Sequence, residues 1–88
     1  MYHRTYVSVV ACFSEEGKLT PRSLCLHGLN YAIDRVLDCR NAAATKAGGQ
    51  GLRYTVRICG QETYLFQDEH NRWFVEEKED VRTVSGDD

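Results

Sequence analysis

Two arginines and two aromatic residues recur in alternation within neighbouring segments of the 88-residue chain. Arg53 and Arg57 lie in the segment LRYTVRIC, and Tyr64 and Phe66 lie in the following segment, ETYLFQD. Guanidinium groups neutralise phosphates and aromatic rings stack on bases, so this combination is typical of small domains that hold single-stranded nucleic acid or peptides. The competing interpretation, which the usual packing of aromatic residues in small barrels favours, is that both rings are buried.

These four residues share one face only if the two segments pair as neighbouring strands. In both segments apolar and polar residues alternate, and β-branched and aromatic residues are frequent, which predicts strands. Gly60-Gln61 predicts a two-residue turn between them. Such a turn would place Arg57 opposite Tyr64, Thr55 opposite Phe66 and Arg53 opposite Asp68. The sequence therefore predicts a binding face made of Arg53, Arg57, Tyr64 and Phe66.

The glycine-rich stretch KAGGQG, residues 46–51, is a second candidate for chemistry. Phosphate-binding loops place their glycines at the N-terminal end of a helix, where free amides face the anion. Here the glycines follow NAAATK, in which Asn41 is a good N-cap and Gly48 suits the position after the helix. This pattern predicts a short helix near 41–47 and glycines that allow a reversal close to the sheet, while a longer helix from Asp34 is the rival interpretation.

Cysteines and histidines predict no metal site, cofactor or catalytic centre. Cys12, Cys25, Cys39 and Cys59 are separated by 13, 14 and 20 residues, and zinc ligands usually come in closer pairs. Four reduced thiols are the favoured interpretation over disulfides or a metal. The three histidines are far apart in sequence and are expected in an N-terminal arm and in loops, and no motif of a known catalytic type is present.

The fold class follows from the remaining strand patterns. Strands are predicted over six segments: residues 6–13, 23–27, 31–38, 52–59, 62–68 and 72–77. Pro21 marks the entry to the second strand, and a bulge near Asp34-Arg35 explains the broken alternation of the third. Short connections favour a mainly β domain, a five- to six-stranded antiparallel, partly open SH3-like barrel with one short helix. Its predicted core is Val7, Val9, Phe13, Leu24, Ile33, Val36, Tyr54, Val56, Ile58, Leu65 and Trp73.

Length and charge set the domain limits. A chain this short buries one core, so residues 1–4 are expected as an N-terminal arm, 5–78 as a single domain and 79–88 as an acidic, disordered tail. Residues 31–61 carry five basic and two acidic residues, whereas 62–88 carry three basic and nine acidic ones. The lack of a long apolar run or an export signal predicts a cytoplasmic protein without membrane contact.

The pattern IDRVLDCRNAAATKAGGQGLRYTVRI, followed by YLF and RWFVE, resembles a family of short uncharacterised bacterial proteins. The likeness covers nearly all of residues 5–77. It implies a proline where Asn41 stands, a tryptophan where Leu26 stands, and an acidic pair before the hairpin glycine where this chain has His27. The family brings no established activity, so the resemblance bears on the domain limits alone.

Three functional classes follow from these patterns. A non-catalytic binding module for single-stranded nucleic acid or a protein partner is the favoured prediction, ahead of an enzyme. The alternative is an assembly protein that self-associates through strand pairing, because Val10, Cys12 and Cys25 are apolar residues on strand faces expected to point outward.

Overall fold

The computed structural model describes residues 2–42 and 51–78, and these form one antiparallel sheet. Its seven strands are β1 (Tyr2–Phe13), β2 (Leu19–Leu26), β3 (Leu29–Ala32), β4 (Arg35–Ala42), β5 (Gly51–Ile58), β6 (Gln61–Asp68) and β7 (Trp73–Lys78). The strands lie in the order β3-β2-β1-β7-β6-β5-β4, and the sheet curls into a half-barrel. The mainly β prediction is confirmed, with seven strands instead of five or six.

The predicted helix near 41–47 is wrong where the structure describes it. Asn41 and Ala42 are the last residues of β4, where they lie opposite Leu52 and Gly51. No helix occurs in residues 2–42 or 51–78, which also excludes the longer helix from Asp34, and residues 43–47 lie outside the described residues. Pairing with β5 outweighs the helix propensity of the alanines, because propensity is a weak preference that tertiary contacts override.

The predicted third strand, residues 31–38, is two strands on opposite edges of the sheet. β3 pairs with β2 and β4 pairs with β5. Between them, the Ile33 amide donates to the Arg22 carbonyl at 2.9 Å and the Asp34 amide donates to the Arg57 carbonyl at 2.8 Å. Two residues thus carry the chain from one edge to the other, which draws the edges together. The bulge lies at Leu37 instead of Asp34-Arg35.

The hairpin between β5 and β6 turns one residue earlier than predicted. Cys59 and Gly60 both have positive φ, 52° and 78°, as a type I′ turn requires, and Ile58 lies opposite Gln61. The register therefore differs from the predicted one: Arg57 lies opposite Glu62, Thr55 opposite Tyr64 and Arg53 opposite Phe66. Because the shift is two residues, every side chain keeps its predicted face.

Pro21 and residues 2–4 also lie at other places in the strands than the sequence predicts. Pro21 is buried as the third residue of β2, opposite Ala11 and beside a bulge, where a residue without an amide hydrogen is tolerated. Residues 2–4 are predicted to belong to an N-terminal arm. They are instead the first residues of β1 and lie opposite residues 76–78 of β7.

The sheet has an apolar inner face and a partly buried outer face. Leu24, Tyr54, Val56 and Leu65 are the buried centre of the inner face. The other predicted core residues pack against that centre, with one exception: Val7, Val9, Ile33, Val36, Ile58 and Trp73 do so. Phe13 is the exception, 74% exposed, because it ends β1 at the open lip of the half-barrel.

Gly51 confirms the structural interpretation of the glycine-rich stretch at one position. A Cβ atom on Gly51 would overlap the backbone carbonyl oxygen of Gln67 on β6. Only glycine lets β5 begin this close to β6, so the residue serves strand packing. Gly48 and Gly49 lie outside the described residues.

Candidate nucleic-acid interface

A row of side chains crosses the outer face perpendicular to the strands. Tyr6 on β1 lies opposite Phe74 on β7, which lies opposite Phe66 on β6. Phe66 in turn lies opposite Arg53 on β5, and Arg53 lies opposite Arg40 on β4. Neighbouring strands are about 4.8 Å apart, so rings and guanidinium groups in such a row reach one another.

Four rings of this face form an aromatic ladder, defined as Tyr6, Phe74, Phe66 and Tyr64. Phe66 and Phe74 stack with centroids 5.1 Å apart, and each end of the ladder is an edge-on contact, Tyr6 to Phe74 at 5.7 Å and Tyr64 to Phe66 at 6.3 Å. The two phenylalanines are buried, whereas Tyr6 and Tyr64 are 45% and 48% exposed. The ladder therefore has an apolar middle and two accessible phenol ends.

Three guanidinium groups lie over rings of the aromatic ladder. Arg4 lies 4.5 Å above the centroid of Phe74, Arg53 4.6 Å above Tyr64 and Arg72 4.7 Å above Tyr6. At these distances the cation is attracted to the negative face of the ring. A guanidinium group stacked in this way presents its planar edge of N–H donors sideways, the geometry that suits phosphate or carboxylate oxygens.

The predicted binding residues all occupy this face, in different environments. Tyr64 is half exposed, whereas Phe66 is 3% exposed and belongs to a second, outer core with Phe74. Arg53 joins the ladder, and Arg57 instead forms a 3.5 Å ion pair with Glu62. Burial of the rings is therefore correct for Phe66, which is core, and exposure is correct for Tyr64, which is at the surface.

Sequence reasoning missed four residues of this face: Arg4, Tyr6, Arg72 and Phe74. Arg4 and Tyr6 are an arginine and an aromatic residue two positions apart, which puts them on one face of a strand and is a signal available in the N-terminal segment. What the sequence does not reveal is that β1 pairs with β7, which brings the first and last described strands side by side.

Asp68 orients Arg72 at one end of the ladder. Its Oδ1 atom accepts hydrogen bonds from the amides of His70 and Arg72 at 2.8 and 2.9 Å, and its Oδ2 atom accepts one from Arg72 Nε at 3.1 Å. The Tyr6 hydroxyl donates to the same Oδ2 atom at 3.5 Å. Burial raises the pKa of Asp68, but the two amides and the Arg72 charge outweigh burial and hold that pKa below its usual range.

Arg53 and Arg40 bring two positive charges together at the other end. Arg40 Nε donates to Asp38 at 2.6 Å, a hydrogen bond that lowers the pKa of Asp38 and raises that of Arg40. The Nε atom of Arg53 is buried and has no hydrogen-bond partner. The Arg40 charge is paired with Asp38, so the guanidinium of Arg53 is the group at this end that would hold an anion.

A second polar cluster lies at the far end of β7 around Glu77. Thr5 Oγ1 donates to Glu77 at 2.6 Å, His27 Nε2 lies 3.0 Å from its carboxylate, and His3 Nε2 lies 3.9 Å away. The hydrogen bonds from Thr5 and His27 lower the pKa of Glu77. Two of the three histidines, His3 and His27, therefore share one carboxylate, whereas His70 Nε2 lies 3.7 Å from Glu69. Among the described residues, no group of three or more His, Cys, Asp and Glu side chains is placed to hold a metal ion.

The four cysteines form no disulfide with one another. Cys12, Cys39 and Cys59 are exposed and Cys25 is half-buried. Burial, with a contribution from Cys39, raises the pKa of Tyr54 to about 12, so its phenol stays neutral.

Two openings interrupt the inner face. A groove of about 850 Å³ lies between the lips of the half-barrel, with walls that include Phe13, Leu19, Leu37 and Trp73. A smaller opening of about 350 Å³ lies beside β6 and β7, where strand pairing stops at Phe66 and Phe74. The smaller opening includes Tyr64 in its lining, whereas the larger groove is lined by no ring of that face.

Within the two described ranges, no helix has the length and apolar character needed to cross a bilayer. No family model matches the chain, and comparison with curated proteins and with solved structures finds no match either. The resemblance to short bacterial proteins stays a prediction.

Proposed function

We propose that the chain is a non-catalytic binding module that holds a short stretch of single-stranded nucleic acid on its outer face. The observation that carries the proposal is the stacking of three guanidinium groups on one aromatic ladder. We assign the half-barrel to the SH3-like class, in which a small curled sheet presents a binding face.

Phosphates would bind at the β4–β5 end of the row. Arg53 is half-buried and lies over Tyr64; its Nε atom is buried, so an incoming phosphate oxygen would meet the terminal N–H groups of the guanidinium. Arg57, whose pair with Glu62 is long and exposed, is the second phosphate ligand.

Bases would stack at the exposed ends of the ladder. Tyr6 and Tyr64 are accessible, and each is braced by a buried phenylalanine that fixes its orientation. Stacking on an aromatic ring contributes roughly 1–3 kcal/mol per base and tolerates any base, because every base has a π face. Direct stacking on Phe66 or Phe74 is blocked by burial, so the site takes few bases.

Acidic residues limit the length of the strand that fits. Glu76 lies opposite Arg4 on the outer face, and Glu77, Glu79 and Asp80 follow it in sequence. A nucleic acid strand that ran past this end would be repelled, so the site is short and the affinity modest.

Titration of labelled oligonucleotides of six to ten nucleotides tests the proposal. Wild type is compared with Arg53→Ala/Arg57→Ala at low and moderate salt, and two or three phosphate contacts predict a salt slope of about −1.4 to −2. The matched control is Lys18→Ala/Arg22→Ala, which removes the same charge from exposed positions of the β1–β2 hairpin.

The proposal requires that the double variant bind less than both wild type and control. Equal loss in the two double variants would indicate unspecific charge attraction and reject the site. If no protein binds at low salt, nucleic acid is excluded and an acidic protein partner becomes the better candidate for the same arginines.

A further inference from the structure

β4 is an eight-residue edge strand. β5 pairs with one of its sides, and within the described residues no strand pairs with the other. β3, at the opposite edge, has four residues, whereas β4 has eight. A long edge offers a row of unpaired amides and carbonyls to another strand.

The middle of β4 carries a charge pattern that complements itself. Asp38 and Arg40 flank Cys39 and lie on the outer face, with side chains 39% and 63% exposed. In an antiparallel pair of two β4 strands centred on Cys39, Asp38 of each copy lies opposite Arg40 of the other. A pair centred on Asp38 or on Arg40 would place like charges opposite each other at the centre, which is unfavourable.

We propose that β4 pairs antiparallel with β4 of a second copy, centred on Cys39, so that two half-barrels share one continuous sheet. Arg40 and Arg53 are like charges that lie opposite each other on β4 and β5. The partner's Asp38 would approach Arg40 from the side away from Arg53 and would offset this repulsion. The bulge at Leu37 ends the regular part of the edge, which limits how far the pairing extends.

This dimer does not depend on the proposed nucleic-acid site. Arg53 and Arg57 lie on β5, one strand in from the edge, so their replacement leaves the β4 backbone and its two charged side chains intact. Loss of nucleic-acid binding and loss of dimerisation are therefore separate results.

Charge-reversal variants of Asp38 and Arg40 test the register of the proposed β4–β4 pair. Asp38→Arg leaves two basic side chains flanking Cys39, and Arg40→Asp leaves two acidic ones, so each variant repels its own copy. Sedimentation velocity over a concentration series is expected to show a wild-type dimer that weakens at least about fivefold in either variant. An equimolar mixture of the two variants should restore the dimer, because each basic pair then faces an acidic pair.

Cross-linking tests the centre of the pair. Directly opposite residues of antiparallel strands have Cα atoms about 4.5–5.5 Å apart, within disulfide range. Diamide takes up one hydrogen from each of two thiols, becomes its hydrazine and leaves a disulfide between the two Cys39 residues. A variant with Cys39 as its single cysteine should form covalent dimers much faster than one that keeps Cys12, which is exposed on β1.

Three results would overturn the proposal: a wild-type monomer at every concentration, a variant mixture that stays monomeric, or equal cross-linking of the two single-cysteine proteins. Circular dichroism of each variant confirms that it folds, which is expected because both charged positions are at the surface.

Discussion

The rings of Phe66 and Phe74 stack nearly parallel, with their centroids 5.1 Å apart and their planes 9° from parallel. The two residues lie directly opposite each other on β6 and β7, at the point where the pairing of those strands stops. Both are buried although they lie on the outer face, because Tyr6, Tyr64 and arginine side chains cover them. The sheet is therefore held from two sides, by the inner core and by this outer pair.

Removal of one stacked ring should destabilise the fold strongly. Phe74 is 1% exposed, and replacement of a buried phenylalanine by alanine costs about 3–5 kcal/mol. We expect Phe74→Ala to lower the free energy of unfolding by that amount in urea denaturation. Phe13→Ala is the matched control and should change stability by less than about 0.5 kcal/mol, because Phe13 is 74% exposed. Equal losses would contradict the assignment of Phe13 to the open lip.

Gly51→Ala should be more harmful than alanine at a turn glycine. A Cβ atom at Gly51 would overlap the Gln67 carbonyl, which belongs to a paired strand and moves only if β5 and β6 separate. Overpacking of this kind costs about 1–3 kcal/mol or more. At Gly17, φ is +84° and nothing lies within 4 Å of an added Cβ, so alanine there costs only the left-handed backbone, roughly 1–2 kcal/mol. Thermal denaturation of both variants compares the two penalties, and a smaller loss at Gly51 would contradict the close approach.

Acid should destabilise the protein partly through Asp68. Its pKa in the folded state lies below its ordinary value of 3.8, so the unfolded chain takes up this proton first as the pH falls. The stability that Asp68 contributes is therefore fully present above pH 4–5 and declines as the pH falls through the lowered folded pKa. Denaturation series between pH 7 and pH 2.5 should show a shallower acid slope for Asp68→Asn than for wild type. Glu69→Gln, at an exposed neighbouring position, should keep the wild-type slope.

Alternation along the chain was sufficient to predict β1, β2, β5, β6 and β7, and the faces of most of their residues. The inner row of Val7 and Val9, and the shared outer face of Arg53 and Tyr64, both follow from period-two patterning, which survives a register error of two residues. Boundaries and partners were harder to predict, since they depend on contacts between distant parts of the chain. Nothing local in the segment 31–38 indicates that its two halves pair with opposite edges of the sheet.

The sequence alone does not decide which rings of the outer face are buried. Phe66 alternates with Leu65 in the same way as a surface residue would, and it is buried because Phe74, eight residues later in sequence on β7, packs against it. Arg4 lies on β1 and Arg72 lies in the loop before β7. These two arginines contact the ladder because β1 pairs with β7. The site is thus a product of topology more than of any one segment.

Variants of Tyr64, at an exposed end of the ladder, distinguish base stacking from charge attraction. If Tyr64 stacks on a base, Tyr64→Ala should weaken oligonucleotide binding about 5- to 150-fold, while Tyr64→Phe retains the ring and most of the affinity. Stacking is much less sensitive to ionic strength than phosphate contacts, so neither variant should change the salt slope, whereas Arg53→Ala should reduce it by about 0.7. Fluorescence anisotropy at three salt concentrations measures both quantities for each protein. Thr63→Ala, at the exposed adjacent position on β6, is the control and should bind like wild type. An unchanged affinity for Tyr64→Ala alongside a reduced one for Arg53→Ala would leave the charge contact in place and reject base stacking at this ring.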